Sequence, residues 1–197
     1  MQSLARSDRS VPLHRRSLLA ECGGGLGLTA LVDLLAAAFG PAAEAVLQRT
    51  EAVQIVACGT SFHAGSVARY FIEQICGLPC WVDIGSEFRY RSPVVPKNTL
   101  FVTISQSGET ADTLAAVKEC RQRQAKVISI CNVVGSSLTR ESDGVLYTHA
   151  GPEVAVASTK AFVAQITALY LLGLQFAQVR GTLTDRAIMI VCTVAMS

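Results

Sequence analysis

Five short runs of apolar, often β-branched residues recur along this chain, each followed by helical patterning or a turn. They are Val53 to Cys58 (VQIVAC), Cys80 to Ile84 (CWVDI), Thr99 to Ile104 (TLFVTI), Lys126 to Cys131 (KVISIC) and the weaker Gly144 to Thr148. Strands that alternate with helices at this spacing indicate βαβ units and a parallel sheet. Strands apolar along their whole length indicate a sheet covered on both faces. The fold expected is α/β: a three-layer, doubly wound sheet of five parallel strands. Expected helices are Pro41 to Thr50, His63 to about Cys76, Ala111 to about Arg123, Ser136 to Ser142 and a long one from about Ser158 to Val179. The Ala111 helix places Ala111, Leu114, Val117 and Cys120 on one face. Ser86 to Tyr90 reads as a turn of helix or a loop.

Composition narrows the function classes. With 197 residues, half of them hydrophobic and 16% charged, the chain is long and apolar enough for one buried core. A net charge of +2, with no basic stripe, excludes a nucleic-acid surface. The seven cysteines are an odd, scattered set, as reduced core thiols are, which points to a cytoplasmic protein. Cys76 and Cys80 have a zinc-like spacing, but no second pair completes four ligands, so neither metal nor cofactor is expected. Arg15-Arg16-Ser17-Leu18-Leu19 resembles a twin-arginine export signal, the alternative for location, although Glu21 and Asp33 interrupt the stretch that follows. No run reaches the roughly 18 uninterrupted apolar residues that span a membrane. The nearest, Ala161 to Ala177, carries Gln165, Thr167 and Gln175 and reads as a fully buried helix.

Three strand-to-helix junctions carry small polar residues. Cys58-Gly59-Thr60-Ser61 follows the first strand, Ser105-Gln106-Ser107-Gly108-Glu109-Thr110 follows the third, and Val156-Ala157-Ser158-Thr159-Lys160 opens the long helix. In a doubly wound sheet such ends converge on one crevice. A helix start offers unpaired N–H groups and the positive end of its dipole, and hydroxyls add donors that rotate toward phosphate oxygens. The alternative is that Thr60-Ser61, Ser107 or Thr110, and Ser158-Thr159 only cap their helices, with Glu109 in a first turn. Neither glycine-containing loop matches a dinucleotide or P-loop fingerprint, so a small phosphorylated polyol suits them better than a nucleotide.

At this point a resemblance adds to the residues. CGTS at 58–61, SEFRYR at 86–91, SQSGETADT at 105–113, ICNVVGSSLTRESD at 130–143 and EVAVASTKAF at 153–162 resemble the first sugar-isomerase (SIS) domain of the glutamine–fructose-6-phosphate aminotransferase family. The resemblance runs from about residue 31 to 181. It implies a flavodoxin-like sheet and, for the whole enzymes, transfer of the glutamine amide nitrogen to fructose 6-phosphate to yield glucosamine 6-phosphate. Carried over, it implies that Ser105, Gln106, Ser107 and Thr110 hold the phosphate, that Thr60 and Ser61 contact the sugar, and that Val156, Ala157 and Ser158 line the same pocket. The ligand is fructose 6-phosphate or glucosamine 6-phosphate. A homodimer is implied, with Glu87 to Arg91 near shared surfaces.

The chain departs from that family in ways that bear on catalysis. Gln2 stands where the family's ammonia-generating half has a catalytic cysteine. The family's catalytic base, histidine and lysine lie in the second SIS domain and the carboxyl tail. The expectation is a piece that binds sugar phosphate, lacks the glutaminase and second SIS domains and holds no catalytic residue: 1–30 divergent, 31–181 the SIS domain, 182–197 the start of a connection. Candidate bases within it are His63, His149, Glu87 and Glu153. His63 reads as packing or capping, His149 as surface, and Glu153 as structural. Lys160 is not assigned the imine role. The rival class is a stand-alone sugar-phosphate sensor. On the long helix, Tyr170, Leu171, Leu172 and Phe176 leave no polar face, so an isolated copy should expose apolar surface there and self-associate.

Overall fold

The computed structural model describes residues 43–91, 93–151 and 158–183. Within these, the elements alternate as the pattern predicts: α1 (Ala43–Arg49), β1 (Ala52–Ala57), α2 (Thr60–Phe71), a π-helical turn (Ile72–Cys76), β2 (Cys80–Ile84), α3 (Gly85–Tyr90), β3 (Thr99–Ser105), α4 (Ala111–Gln122), β4 (Lys126–Cys131), α5 (Ser137–Arg140), β5 (Gly144–Tyr147) and α6 (Thr159–Arg180). The five strands form one parallel sheet in the order β2-β1-β3-β4-β5. This is the flavodoxin-like order, whose direction reverses between β1 and β3.

Each face of the sheet has its own core. On one, Val53, Ile55 and Ala57 of β1 and Leu100, Val102 and Ile104 of β3 pack under α1, α2 and α6, with Leu169, Leu172 and Phe176 of α6 fully buried. On the other, Val56, Phe101 and Val127 meet Phe88 of α3, Ala116, Val117 and Cys120 of α4, and Leu138 of α5. Strands β1 and β3 are buried at every position, which is why they read as unbroken apolar runs. Gly65 lets α2 press onto β1: a Cβ there would lie 2.8 Å from Ile55 Cγ2.

Polar groups inside the fold are mostly satisfied by each other. Thr103 and Ser129 hydroxyls meet at 2.6 Å, Ser129 and Ser142 at 2.5 Å, and Ser142 Oγ donates to the Leu138 carbonyl at 2.7 Å. This chain of hydroxyls ties β3 and β4 to α5. Cys76 Sγ donates to the Gly173 carbonyl at 3.2 Å, linking the π-helical turn to α6. Burial pushes the Cys76, Cys80 and Cys120 thiols up to about 12, as inert core thiols require.

Several local expectations are corrected. The helix after β1 starts at Thr60, three residues before His63, and its last turn widens to π geometry before Gly77, which is left-handed at φ 63°. The buried face of α4 is Thr113, Ala116, Val117 and Cys120, while Ala111 is exposed. Thr113 turns inward to meet Cys58 Sγ at 3.7 Å, which rotates the helix from the face its apolar residues suggest. Of the two forms expected for Ser86 to Tyr90, the helical one is found. On α6, Leu172 and Phe176 are buried and Tyr170 and Leu171 half-buried, so the apolar surface expected there is largely covered. Nor is α6 buried throughout: Val163 is 57% exposed. By length and composition α6 could cross a membrane, and half of that window is buried inside the fold. The twin-arginine-like segment, and residues 184–197, lie outside the described residues.

Candidate functional site

Parallel pairing places the strand ends side by side. Ala57 of β1 is in register with Ile104 of β3, and Ser105 with Cys131 of β4. Neighbouring strands lie about 4.8 Å apart. The Gly59-Thr60-Ser61 and Ser105–Thr110 loops therefore leave the sheet at adjacent points, on either side of the position where strand order reverses. That is where open α/β sheets bind their ligands.

The first loop turns on Gly59, which takes φ 58° and ψ −135° and occupies the N-cap position of α2. Thr60 and Ser61 are thus the first two helical residues, not caps. Thr60 is exposed, and Ser61 is 6% exposed. No side chain caps this helix start.

The second loop is organised by its own hydroxyls. Ser105, buried at the end of β3, accepts a hydrogen bond from Gly108 N at 2.9 Å, and its Oγ lies 3.3 Å from Thr110 Oγ1. Ser107 Oγ accepts from Glu109 N at 3.2 Å. Gly108 is left-handed, with φ 69°, and a Cβ there would collide with Ser136 Oγ and sit 2.8 Å from Cys131 Sγ. Only glycine fits both requirements. Gln106, Ser107 and Thr110 are half-buried along the crevice. Thr110 occupies the N-cap position of α4, yet its side chain makes no capping bond. Glu109 is not in the first turn of α4: its carboxylate accepts the Ser137 N–H at 2.8 Å, at the start of α5. That bond, the Ser137 side chain and Arg140 hold its pKa below the ordinary carboxylate value.

The third junction is described only from Ser158, at the N-cap position of α6 in a left-handed conformation with φ 49° and no side-chain cap. Val156, Ala157 and Glu153 lie outside the described residues. The approach to this junction is held to β4 by Asn132, whose Oδ1 accepts from Thr148 Oγ1 at 3.1 Å and Ala150 N at 2.7 Å, while its Nδ2 donates to the Gly151 carbonyl at 3.2 Å. Sequence reasoning did not single out Asn132. Its only trace is a place directly after an apolar strand.

The starts of α2, α4 and α6 therefore face the carboxyl edge of the sheet with none of their side chains spent on capping. Unpaired helix N–H groups and hydroxyls at these starts can donate to an anionic, oxygen-rich ligand. The candidate bases among the described residues, His63, His149 and Glu87, are all exposed. His63 is exposed and packs edge-on against Phe62 at 5.6 Å. His149 is exposed, beside Tyr147 at 5.9 Å, and Glu87 is exposed on α3. A cavity of about 680 Å³ opens at the opposite, amino end of β3 and β4, lined in part by Arg49, Lys97, Asn98, Arg123 and Lys126. It is not the crevice formed by the three junctions.

Comparison with known proteins agrees with this architecture. The family model for the SIS domain matches residues 47–175. A glutamine–fructose-6-phosphate aminotransferase (isomerizing) of Corynebacterium diphtheriae is 60% identical over 140 residues, covering 71% of this chain and 22% of that protein. That of Streptomyces coelicolor is 58% identical over 137 residues, covering 70% of this chain and 22% of that protein. The chain thus spans about a fifth of the length of these curated relatives. Among solved structures, the C-terminal domain of glucosamine-fructose-6-phosphate aminotransferase from Francisella tularensis superimposes with a TM-score of 0.76 at 39% identity, over 92% of this chain and 53% of that one. From the sheet order, the strand-end loops and these matches together, the chain belongs to the SIS domain family.

Proposed function

We propose that the crevice at the carboxyl ends of β1 and β3 binds a hexose 6-phosphate, fructose 6-phosphate or glucosamine 6-phosphate. The chain would then be the sugar-phosphate-holding part of a glutamine-dependent aminotransferase that makes glucosamine 6-phosphate. One observation carries the reading: three hydroxyl-bearing helix starts without side-chain caps meet the edge of the sheet, two of them astride the strand-order reversal. The identity to relatives bearing that aminotransferase name supports the choice of ligand.

In this role Ser107, Gln106 and Thr110 engage the phosphate. Ser105, whose hydroxyl already serves Gly108 N and Thr110, shapes the loop from beneath. Thr60 and Ser61 would contact the sugar, and Val156, Ala157 and Ser158 would line the same pocket. The chain carries no group we assign to the chemical step. The whole relatives' glutaminase and second SIS domains would supply it, and a homodimer in the cytoplasm is the expected setting.

The test is isothermal titration with fructose 6-phosphate and glucosamine 6-phosphate. Binding that Ser107→Ala weakens about tenfold, the loss of one charge-assisted hydrogen bond, is the expected result. Absence of binding at millimolar ligand would overturn the reading.

A further inference from the structure

We propose that Glu109 is a positioning residue of the sugar-phosphate cradle, bracing the Ser105–Gly108 loop against the first turn of α5. The proposal rests on the sugar-phosphate reading of that loop. Two consecutive N–H groups of α5 engage two consecutive loop residues: Leu138 N donates to the Gly108 carbonyl at 3.0 Å, and Ser137 N to Glu109 Oε1 at 2.8 Å. No side chain of α5's own N-cap residue, Ser136, takes that place.

The clamp has a clear consequence for the loop. Gly108 is held left-handed, with its amide on Ser105 Oγ and its Cα against Ser136. The orientation of Ser107 and Gln106 follows from that turn. Without the Glu109 contact, one of the two bonds joining the loop to α5 is gone, and a left-handed turn next to a half-buried Ser107 has fewer constraints.

Charge makes the arrangement more telling. A carboxylate within a phosphate-binding loop would repel a dianionic ligand if it faced the crevice. Here it is engaged by the Ser137 N–H at the start of α5. Arg140 braces the same turn, with Nη2 donating to Ser137 Oγ at 3.0 Å and Nη1 to the Gly135 carbonyl. The acid is thus held by the Ser137 backbone N–H, and Arg140 steadies the same turn through Ser137 and Gly135. The hydrogen-bonded partner matters more than the charge itself. A glutamine can keep the brace, because its carbonyl oxygen still accepts from Ser137 N.

The experiment titrates glucosamine 6-phosphate into the wild-type chain and its Glu109→Ala and Glu109→Gln variants, with thermal melts of each. Glu109→Ala should bind about tenfold more weakly at little cost in melting temperature, and Glu109→Gln should stay within about threefold of wild type. Amide hydrogen exchange at Ser137 should accelerate in Glu109→Ala without any ligand present. If Glu109→Ala does not fold, Glu109→Asp, one methylene too short, replaces it with a loss of threefold or more expected. A folded Ala variant that binds like wild type, or a Gln variant as weak as Ala, overturns the proposal alone. No binding by the wild type overturns the sugar-phosphate reading and the proposal with it, and the Ser137 exchange rates then still report whether the brace exists.

Discussion

Gly108 and Ser136 are so closely packed that a side-chain carbon on the first would occupy the hydroxyl of the second. The cradle loop after β3 and the loop after β4 are therefore one unit, sealed from below by Cys131, whose Sγ lies 3.5 Å from Ser136 Oγ. The two loops hold each other in place, although Gly108 and Ser136 stand 28 positions apart in the sequence.

The first prediction follows from that contact. Gly108→Ala must either leave the left-handed turn or push Ser136 aside, so it should cost about 2 kcal/mol or more of stability and abolish sugar-phosphate binding. Chemical denaturation and isothermal titration on the same preparation check both. A variant of native stability and affinity would show that the loop tolerates the shift.

At Gly65 the expectation is different. An added methyl would press on Ile55, in the middle of β1 and away from the crevice, and overpacking costs about 1–3 kcal/mol. Gly65→Ala should lower the denaturation midpoint while leaving the affinity of the remaining folded protein close to wild type. The combination separates a packing role from a binding role.

Ser129 is fully buried and stands between the hydroxyls of Thr103 and Ser142. Ser129→Ala removes a partner from both, so a loss of about 1–3 kcal/mol is expected. Thr103→Val combined with Ser129→Ala should cost less than the sum of the two single changes, because the second removes a group that the first has already left unpaired. A double-mutant cycle of urea melts measures this.

The buried thiols make the fold sensitive to alkali. Burial pushes the Cys76, Cys80 and Cys120 thiols up to about 12 in the folded chain, against an ordinary thiol value of about 8.5 when unfolded. Between those values the unfolded chain has released protons that the folded chain keeps, so stability is fully present below about pH 8.5 and falls as pH rises toward 12. Denaturation midpoints measured from pH 8 to pH 11 should decline. At pH 8 these three cysteines should resist a thiol reagent until the protein is unfolded, and rapid native labelling of Cys120 would count against the packing described.

Much of the fold was legible because its strands are buried on both faces and its helices end at clear signals. Strands β1, β3 and β4 declared themselves as continuous apolar runs, and Gly77 and Gly181 stand left-handed just beyond the segments they end. Legibility failed where a side chain's partner lies far along the chain. Thr113 is polar, yet its contact with Cys58 turns it into the buried face of α4. The cap-only alternative put Glu109 in the first turn of α4, yet its carboxylate accepts the Ser137 N–H. Capping was the alternative for Thr60 and Ser61, yet Gly59, at a positive φ open to glycine, takes the N-cap position and the helix begins at Thr60.

By itself the sequence determined the layered α/β class, the five strands and the hydroxyl-rich composition of the three junctions, because these depend on periodicity and on local turn chemistry. Only the tertiary structure decided that β1 and β3 are neighbours at the point of strand-order reversal, that the helix starts there lack side-chain caps, and that Glu109 bonds Ser137 at the start of α5. Strand order is set by long-range pairing, and a local pattern carries no record of which strand will lie beside which.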